Sequence, residues 1–179
     1  ISCVSMSCID LNRIQKRKFK VVIDAVNGAG SNALPPLLES LGCEVFELYC
    51  EPNGDFVRGT EPLPEHLKNL GEEVIKYGAD VGFAVDPDAD RLAIVNEMGE
   101  PLGEEYTLVV AADGYLRDTG KEEKFVINLS TSLALEKLAE SNNSSVTRSA
   151  VGEINVVNKM IEINSKLGGE GNGGVILRE

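Results

Sequence analysis

Asp86, Asp88 and Asp90 alternate with Pro87 and Ala89, and Arg91 follows them, inside the run VGFAVDPDADRLAIV. Carboxylates this close repel one another and raise one another's pKa unless a positive charge lies among them. Hard divalent cations such as Mg²⁺ prefer oxygen donors, and carboxylates at i, i+2 and i+4 in a turn can converge on one ion. A solvated acidic turn is the plainer account. Position favours the ion, because the loop follows an apolar, strand-like segment, and open α/β sheets bind ligands outside the carboxyl ends of their strands.

Other readings of the same loop compete. The spacing fits an EF-hand with Glu97 in its last place, but the sixth position holds Arg91 where glycine is required, and strands rather than helices flank it. An Asp-nucleophile phosphatase of the haloacid dehalogenase kind, with Asp86 as nucleophile, also has a strand followed by Asp-x-Asp. Here, however, a third Asp and an Arg stand where Thr or Val is usual. A non-catalytic module that binds a cation through the loop and assembles with another chain is a further alternative.

A second stretch that could do chemistry is GGEGNGG, residues 168–174. Glu170 and Asn172, one glycine apart, could hydrogen-bond neighbouring hydroxyls of a sugar while the glycines admit it closely; a flexible linker is the alternative. NGAGSNA, residues 27–33, matches G-x-G-x-x-A with Glu47 or Glu51 at the distance of a ribose contact, yet a tight strand-to-helix turn explains its glycines as well. VRGTEP, residues 57–62, reads as a Pro-bounded turn in preference to a phosphate cradle. His66 reads as a surface residue, and Ser130, Thr131 and Ser132 read as helix caps.

An α/β fold must position these residues. An apolar strand over 19–23 leads through a turn at 27–30 to a helix capped by Ser31 or Asn32, with Leu34, Leu37, Leu38 and Leu41 at helical spacing. Gly42 ends it, and a second strand covers 44–49. Strand, helix and strand at this spacing imply a parallel crossover. The next helix carries Leu67, Leu70 and Val74 on one face and leads to strands over 81–85 and 92–95 around the acidic loop. A second cycle follows, with a helix ending at Gly120, a strand over 124–129, a helix over 131–140 and a strand beginning at Val175. The basic run at 13–18 reads as a linker or the tail of a preceding element.

The chain has 179 residues, 17 basic and 29 acidic, a net charge of -12, with 42% hydrophobic residues. That composition builds a globular core. The charge argues against nucleic acid or an anionic membrane as the main partner. No apolar run approaches the roughly 18 residues of a membrane span. Cys3, Cys8, Cys43 and Cys50 form no CxxC, and His66 is the only histidine, so thiols in a reducing, cytoplasmic compartment are expected rather than zinc ligands. The sequence begins at Ile1 without a leader of the secretory type and is read as a fragment. A homo-oligomer is compatible with this reading.

Taken in order, IDAVNGAGS, PNGDF, EPLPEHL, GADVGFAVDPDADRLAIV, NLSTSLALEKLAE, SAVGEINV and GGEGNGG resemble the α-D-phosphohexomutases, the phosphoglucomutase, phosphomannomutase and phosphoglucosamine mutase family. The resemblance implies two consecutive α/β/α domains with mixed, mostly parallel sheets, the second truncated. Residues 1–18 would be a linker or tail, 19–100 the family's domain 2 and 101–179 most of domain 3. Asp86, Asp88 and Asp90 would hold Mg²⁺, with Arg91 a catalytic residue at the edge of the active site. Glu170 and Asn172 would hold sugar hydroxyls, Asn172 standing where many members have Ser, and Gly152 and Glu153 would join the substrate site. The implied reaction moves a phosphoryl group between a hexose phosphate and a phosphoserine by way of a hexose bisphosphate. The family's Ser-His-Asn-Pro phosphoserine loop and its Arg-x-Ser-Gly-Thr phosphate loop are absent from these residues, so domains 1 and 4 would be the missing partners. Leu133 departs from the basic residue that many relatives carry near the end of STSL.

Overall fold

Strand β1 (Lys20–Asp24) is a β-branched apolar run closed by an aspartate, the composition of a strand covered on both faces. The structure, a computed structural model, describes residues 9–178. Cys3 and Cys8 lie outside the described residues, as does the start of the expected linker. From Leu11 that linker is instead a helix, α1 (Leu11–Arg17). Asp10 accepts the Arg13 N–H at 2.9 Å, Lys16 and Arg17 lie in the last turn, where they complement the helix dipole, and Lys18 closes the helix in the left-handed conformation. Gln15 donates to the Ser40 carbonyl at 3.0 Å and Arg17 pairs with Asp80 at 3.0 Å, which fastens α1 to the elements that follow.

Helix α2 (Leu34–Ser40) begins later than expected. Residues 29–32 form a 3-10 turn, and neither Ser31 nor Asn32 caps the helix. Prolines at its first positions start it instead, where a missing N–H has no helical partner to lose. Strands β2 (Glu44–Leu48), β3 (Val81–Val85) and β4 (Leu92–Val95) and helix α3 (Lys68–Tyr77) complete the first unit. Its sheet runs β2-β1-β3-β4, with β1 parallel to both neighbours and β4 antiparallel to β3. Leu67, Leu70 and Val74, at helical spacing, close over Val22, Ala84, Ala93 and Val95. Cys43 and Cys50 are free thiols, and burial pushes the Cys50 thiol up to about 11.

The second unit starts after Glu104. It comprises α4 (Glu105–Thr119), β5 (Lys124–Asn128), α5 (Ala134–Ser141), β6 (Ser145–Ser149), α6 (Glu153–Ile163), β7 (Leu167–Gly169) and β8 (Val175–Leu177). Alternate residues of β5 serve opposite faces. Phe125 and Ile127 pack with Leu108, Ala112 and Leu135 from α4 and α5, whereas Val126 packs with Val156 and Met160 of α6. Helices therefore cover both faces of the sheet. Its order is β6-β5-β7-β8, again two parallel pairings and an antiparallel edge.

The expected fold class is borne out: two consecutive α/β units with mixed, mostly parallel sheets. β6 and β7 were not visible in the sequence. β6 reads SVTRS, with no apolar alternation, and β7 is largely glycine because a Cβ at Gly168 would lie 2.5 Å from the Val126 carbonyl oxygen. Among the described residues no helix is long and apolar enough to cross a membrane.

Candidate functional site

The acidic loop joins β3 to β4. Asp86 is 1% exposed, while Asp88 and Asp90 face solvent, and one oxygen from each lies within 4.8 Å of the others. Local geometry produces this convergence. Ala89 takes a left-handed φ of 63°, and its N–H donates to the Asp86 carbonyl at 3.0 Å, closing the turn. The 27–30 turn supports it from the side: the Ala29 N–H donates to the Pro87 carbonyl at 2.8 Å, and a Cβ on Gly28 would sit 2.5 Å from that oxygen. The glycine pattern thus buttresses the acidic loop. It leads into a 3-10 turn rather than an α-helix N-terminus, so the dinucleotide reading lacks its helix.

Arg91 holds Asp86 twice, through its backbone N–H to Oδ1 at 3.1 Å and its Nε to Oδ2 at 2.7 Å. Its two terminal nitrogens are taken by the Glu61 carboxylate, Nη2 at 3.1 Å from Oε1 and Nη1 paired with Oε2. All three guanidinium nitrogens are therefore committed within the loop's own surroundings. Burial pushes the Asp86 carboxyl up, but its hydrogen bonds from Arg91 outweigh that and hold it below the ordinary carboxylate range. Asp90 is pushed up, by burial and then by the charges of Asp86 and Asp88. The Glu61 carboxylate raises the Arg91 guanidinium further. The loop holds more negative charge than Arg91 offsets, as a cation site requires.

Two supporting residues come from the segment expected to be only a turn. Besides Glu61, Arg58 enters the core with its side chain 4% exposed, where Nε meets Asp24 Oδ2 at 2.6 Å and Nη2 meets the Val85 carbonyl at 2.6 Å. Arg58 carries no local signal: Asp24 closes an apolar run as an ordinary strand end does, and only the fold buries it so that it demands a cationic partner. Nothing in the sequence singles out Glu61. His66 is half-buried, its Nδ1 2.7 Å from the Glu61 carbonyl oxygen.

In the second unit the structure joins Glu170 and Gly152, which are far apart in sequence. Glu170 Oε1 accepts the Gly152 N–H at 3.0 Å and also a hydrogen bond from Asn128 Nδ2. Gly152 adopts φ 110°, a conformation that favours glycine, just before α6. Asn172 accepts the Gly174 N–H at 3.2 Å within its own loop, and Glu153 is exposed in the first turn of α6. Ser130 and Thr131 do not cap α5. Their hydroxyls donate to Asn128 Oδ1 at 2.9 and 2.8 Å, because the helix begins only at Ala134. Ser132 Oγ accepts the Ala134 N–H at 3.4 Å, and Leu133 is exposed.

Comparison with known proteins decides the family. The model of phosphoglucomutase/phosphomannomutase alpha/beta/alpha domain II matches residues 1–99, and that of domain III matches residues 103–179. The chain belongs to the α-D-phosphohexomutase family. This phosphohexomutase segment is 41% identical over 169 residues to a phosphoglucomutase/phosphomannomutase of Thermococcus kodakarensis, covering 94% of the segment and 37% of that relative. It is 39% identical over 162 residues to a phosphoglucosamine mutase of Campylobacter hominis, covering 88% of the segment and 35% of that relative. A solved phosphoglucomutase/phosphomannomutase family protein of Burkholderia thailandensis superposes with a TM-score of 0.81 at 25% identity, over 94% of this chain and 38% of its own. The chain thus spans little more than a third of the length of these relatives.

Proposed function

We propose that this chain is the metal-binding and sugar-binding part of a Mg²⁺-dependent phosphohexomutase. The complete enzyme would move a phosphoryl group between C1 and C6 of a hexose phosphate by way of an enzyme phosphoserine and a hexose bisphosphate. One observation carries the reading: three carboxylates, one buried and two exposed, bring an oxygen each within 4.8 Å in a family whose named members act on sugar phosphates. The donor set suits a hard cation. Hard cations of this kind take carboxylate oxygens, and Asp88 and Asp90 are exposed while Asp86 is held by Arg91.

Asp86, Asp88 and Asp90 would hold the ion, which when bound neutralises charge on the phosphoryl group in transfer. The chain's own residues do the rest. We assign Arg91, with Glu61 behind it, to fixing the orientation of Asp86, and Glu170 and Asn172 to accepting hydrogen bonds from sugar hydroxyls. Gly152 holds Glu170 in place, and Glu153, at the start of α6, lies beside the same loop. The phosphoserine would come from residues other than these 179, since the only histidine, His66, follows Glu65 rather than a serine. By themselves the 179 residues would be inactive.

The test is turnover of the full-length protein on the 1-phosphates of glucose, mannose and glucosamine, with Mg²⁺ and after chelation. Chelator-sensitive conversion of at least one to its 6-phosphate is expected. No conversion of any, with Mg²⁺ and a hexose bisphosphate supplied, overturns the reading.

A further inference from the structure

We propose that Asn128 is a positioning residue that aims the Glu170 carboxylate at a substrate hydroxyl. The inference rests on the reading of Glu170 as a sugar-hydroxyl acceptor and adds the group that makes it one. Asn128 ends the apolar strand β5 and is 2% exposed. Its Oδ1 accepts three hydrogen bonds, from the Ser130 N–H at 3.1 Å, Ser130 Oγ at 2.9 Å and Thr131 Oγ1 at 2.8 Å. With the oxygen so committed the amide cannot turn over, and its NH₂ must point the other way, where it donates to Glu170 Oε1.

The Gly152 N–H donates to the same oxygen at 3.0 Å, so one N–H group from the end of β5 and one from the turn before α6 hold one side of the carboxylate. Neither of these bonds uses Oε2. An ionised carboxylate is acceptor-only, and pinning Oε1 leaves Oε2 as the atom to receive a hydroxyl proton donor. The frame behind Asn128 is itself stiff. Arg148 Nη1 donates to the carbonyls of Asn128, Leu129 and Thr131 at 3.2, 3.2 and 2.9 Å, while its Nε pairs with Glu136 at 2.9 Å.

A plainer account makes Asn128 only the start of a turn. In that case any side chain with an acceptor oxygen would serve, because the turn uses Oδ1 alone. The two accounts part at Asn128→Asp. Aspartate keeps the acceptor for Ser130 and Thr131 but sets an oxygen against Glu170 where an N–H stood. In the full-length protein this variant is expected to raise KM for the preferred hexose phosphate roughly tenfold or more, the scale of a lost charge-assisted hydrogen bond. Its Mg²⁺ dissociation constant, read by calorimetry, should stay unchanged. If Asn128→Asp also lowers Tm, KM is read well below both melting temperatures, where loss of folded protein lowers the apparent kcat in proportion but leaves KM unmoved. Unchanged KM in Asn128→Asp, with wild-type turnover intact, overturns this inference alone. A wild-type protein that neither binds nor converts any hexose phosphate overturns the functional reading and this inference with it.

Discussion

Glu61 grips the terminal nitrogens of Arg91, the residue whose Nε and backbone N–H fix Asp86. The buried carboxylate of the acidic loop is thus oriented from a distant loop through an arginine. Neutralising Glu61 leaves the Arg91 charge less compensated, so Arg91 competes more strongly with a cation for Asp86. Glu61→Gln is expected to weaken Mg²⁺ binding by about tenfold, the cost of losing one charge-assisted pair, with the fold retained. Calorimetric titration of the full-length protein, alongside circular dichroism, checks both parts.

Asp88 is exposed and lies among like charges, so on the proposed reading its role is in ion binding rather than in folding. Asp88→Asn should weaken Mg²⁺ binding by at least about tenfold, because ligand charge tunes affinity for hard cations, and should abolish mutase turnover. Without metal, Tm should hold or rise, since one repulsive charge beside Asp86 and Asp90 is removed. Near-normal turnover with a glucose or mannose phosphate would sink the metal assignment.

Gly28 lies against the backbone of the acidic loop, and a Cβ there would be 2.5 Å from the Pro87 carbonyl oxygen. Backbone cannot yield as a flexible side chain would. Gly28→Ala is expected to cost about 1–3 kcal/mol by overpacking and to weaken Mg²⁺ binding by displacing Pro87 between two ligands. Urea denaturation and calorimetry on the same preparation separate the two effects. Loss of stability with unchanged metal affinity would mean that the turn does not set the ligand positions.

The sequence shows the ligand-bearing loops better than it shows what holds them. Asp86, Asp88 and Asp90 stand out because like charges cluster beside apolar strands, and Glu170 because a carboxylate sits among glycines. Asp24 and Asn128 do not stand out, although each ends the central strand of its sheet, β1 or β5, and each accepts the N–H two residues on. A single polar residue after an apolar run looks like an ordinary strand end. Its importance depends on the partner that the fold delivers, Arg58 in one case and Glu170 in the other. Those partners lie far along the chain, beyond what local periodicity encodes. β6 and β7 are hidden for a related reason: one is polar and the other is mostly glycine, so their strand character comes from pairing, β6 with β5 and β7 with β5 and β8.

The Asp24–Arg58 pair gives the sharpest test of that buried framework, with side chains 1% and 4% exposed. Removing one partner leaves a charge in the core without compensation, whereas removing both leaves mainly a packing defect. Arg58→Ala is expected to destabilise by about 3–5 kcal/mol, as for other broken buried pairs. Arg58 also donates to the Val85 carbonyl, next to Asp86, so the same variant should loosen the start of the metal loop. Adding Asp24→Asn removes the stranded charge and should recover part of the stability. It should not restore metal affinity, because the Val85 bond stays lost. Denaturant melts of the single and double variants measure the coupling. A double variant no more stable than Arg58→Ala would show that the ion pair is not what holds this end of β1.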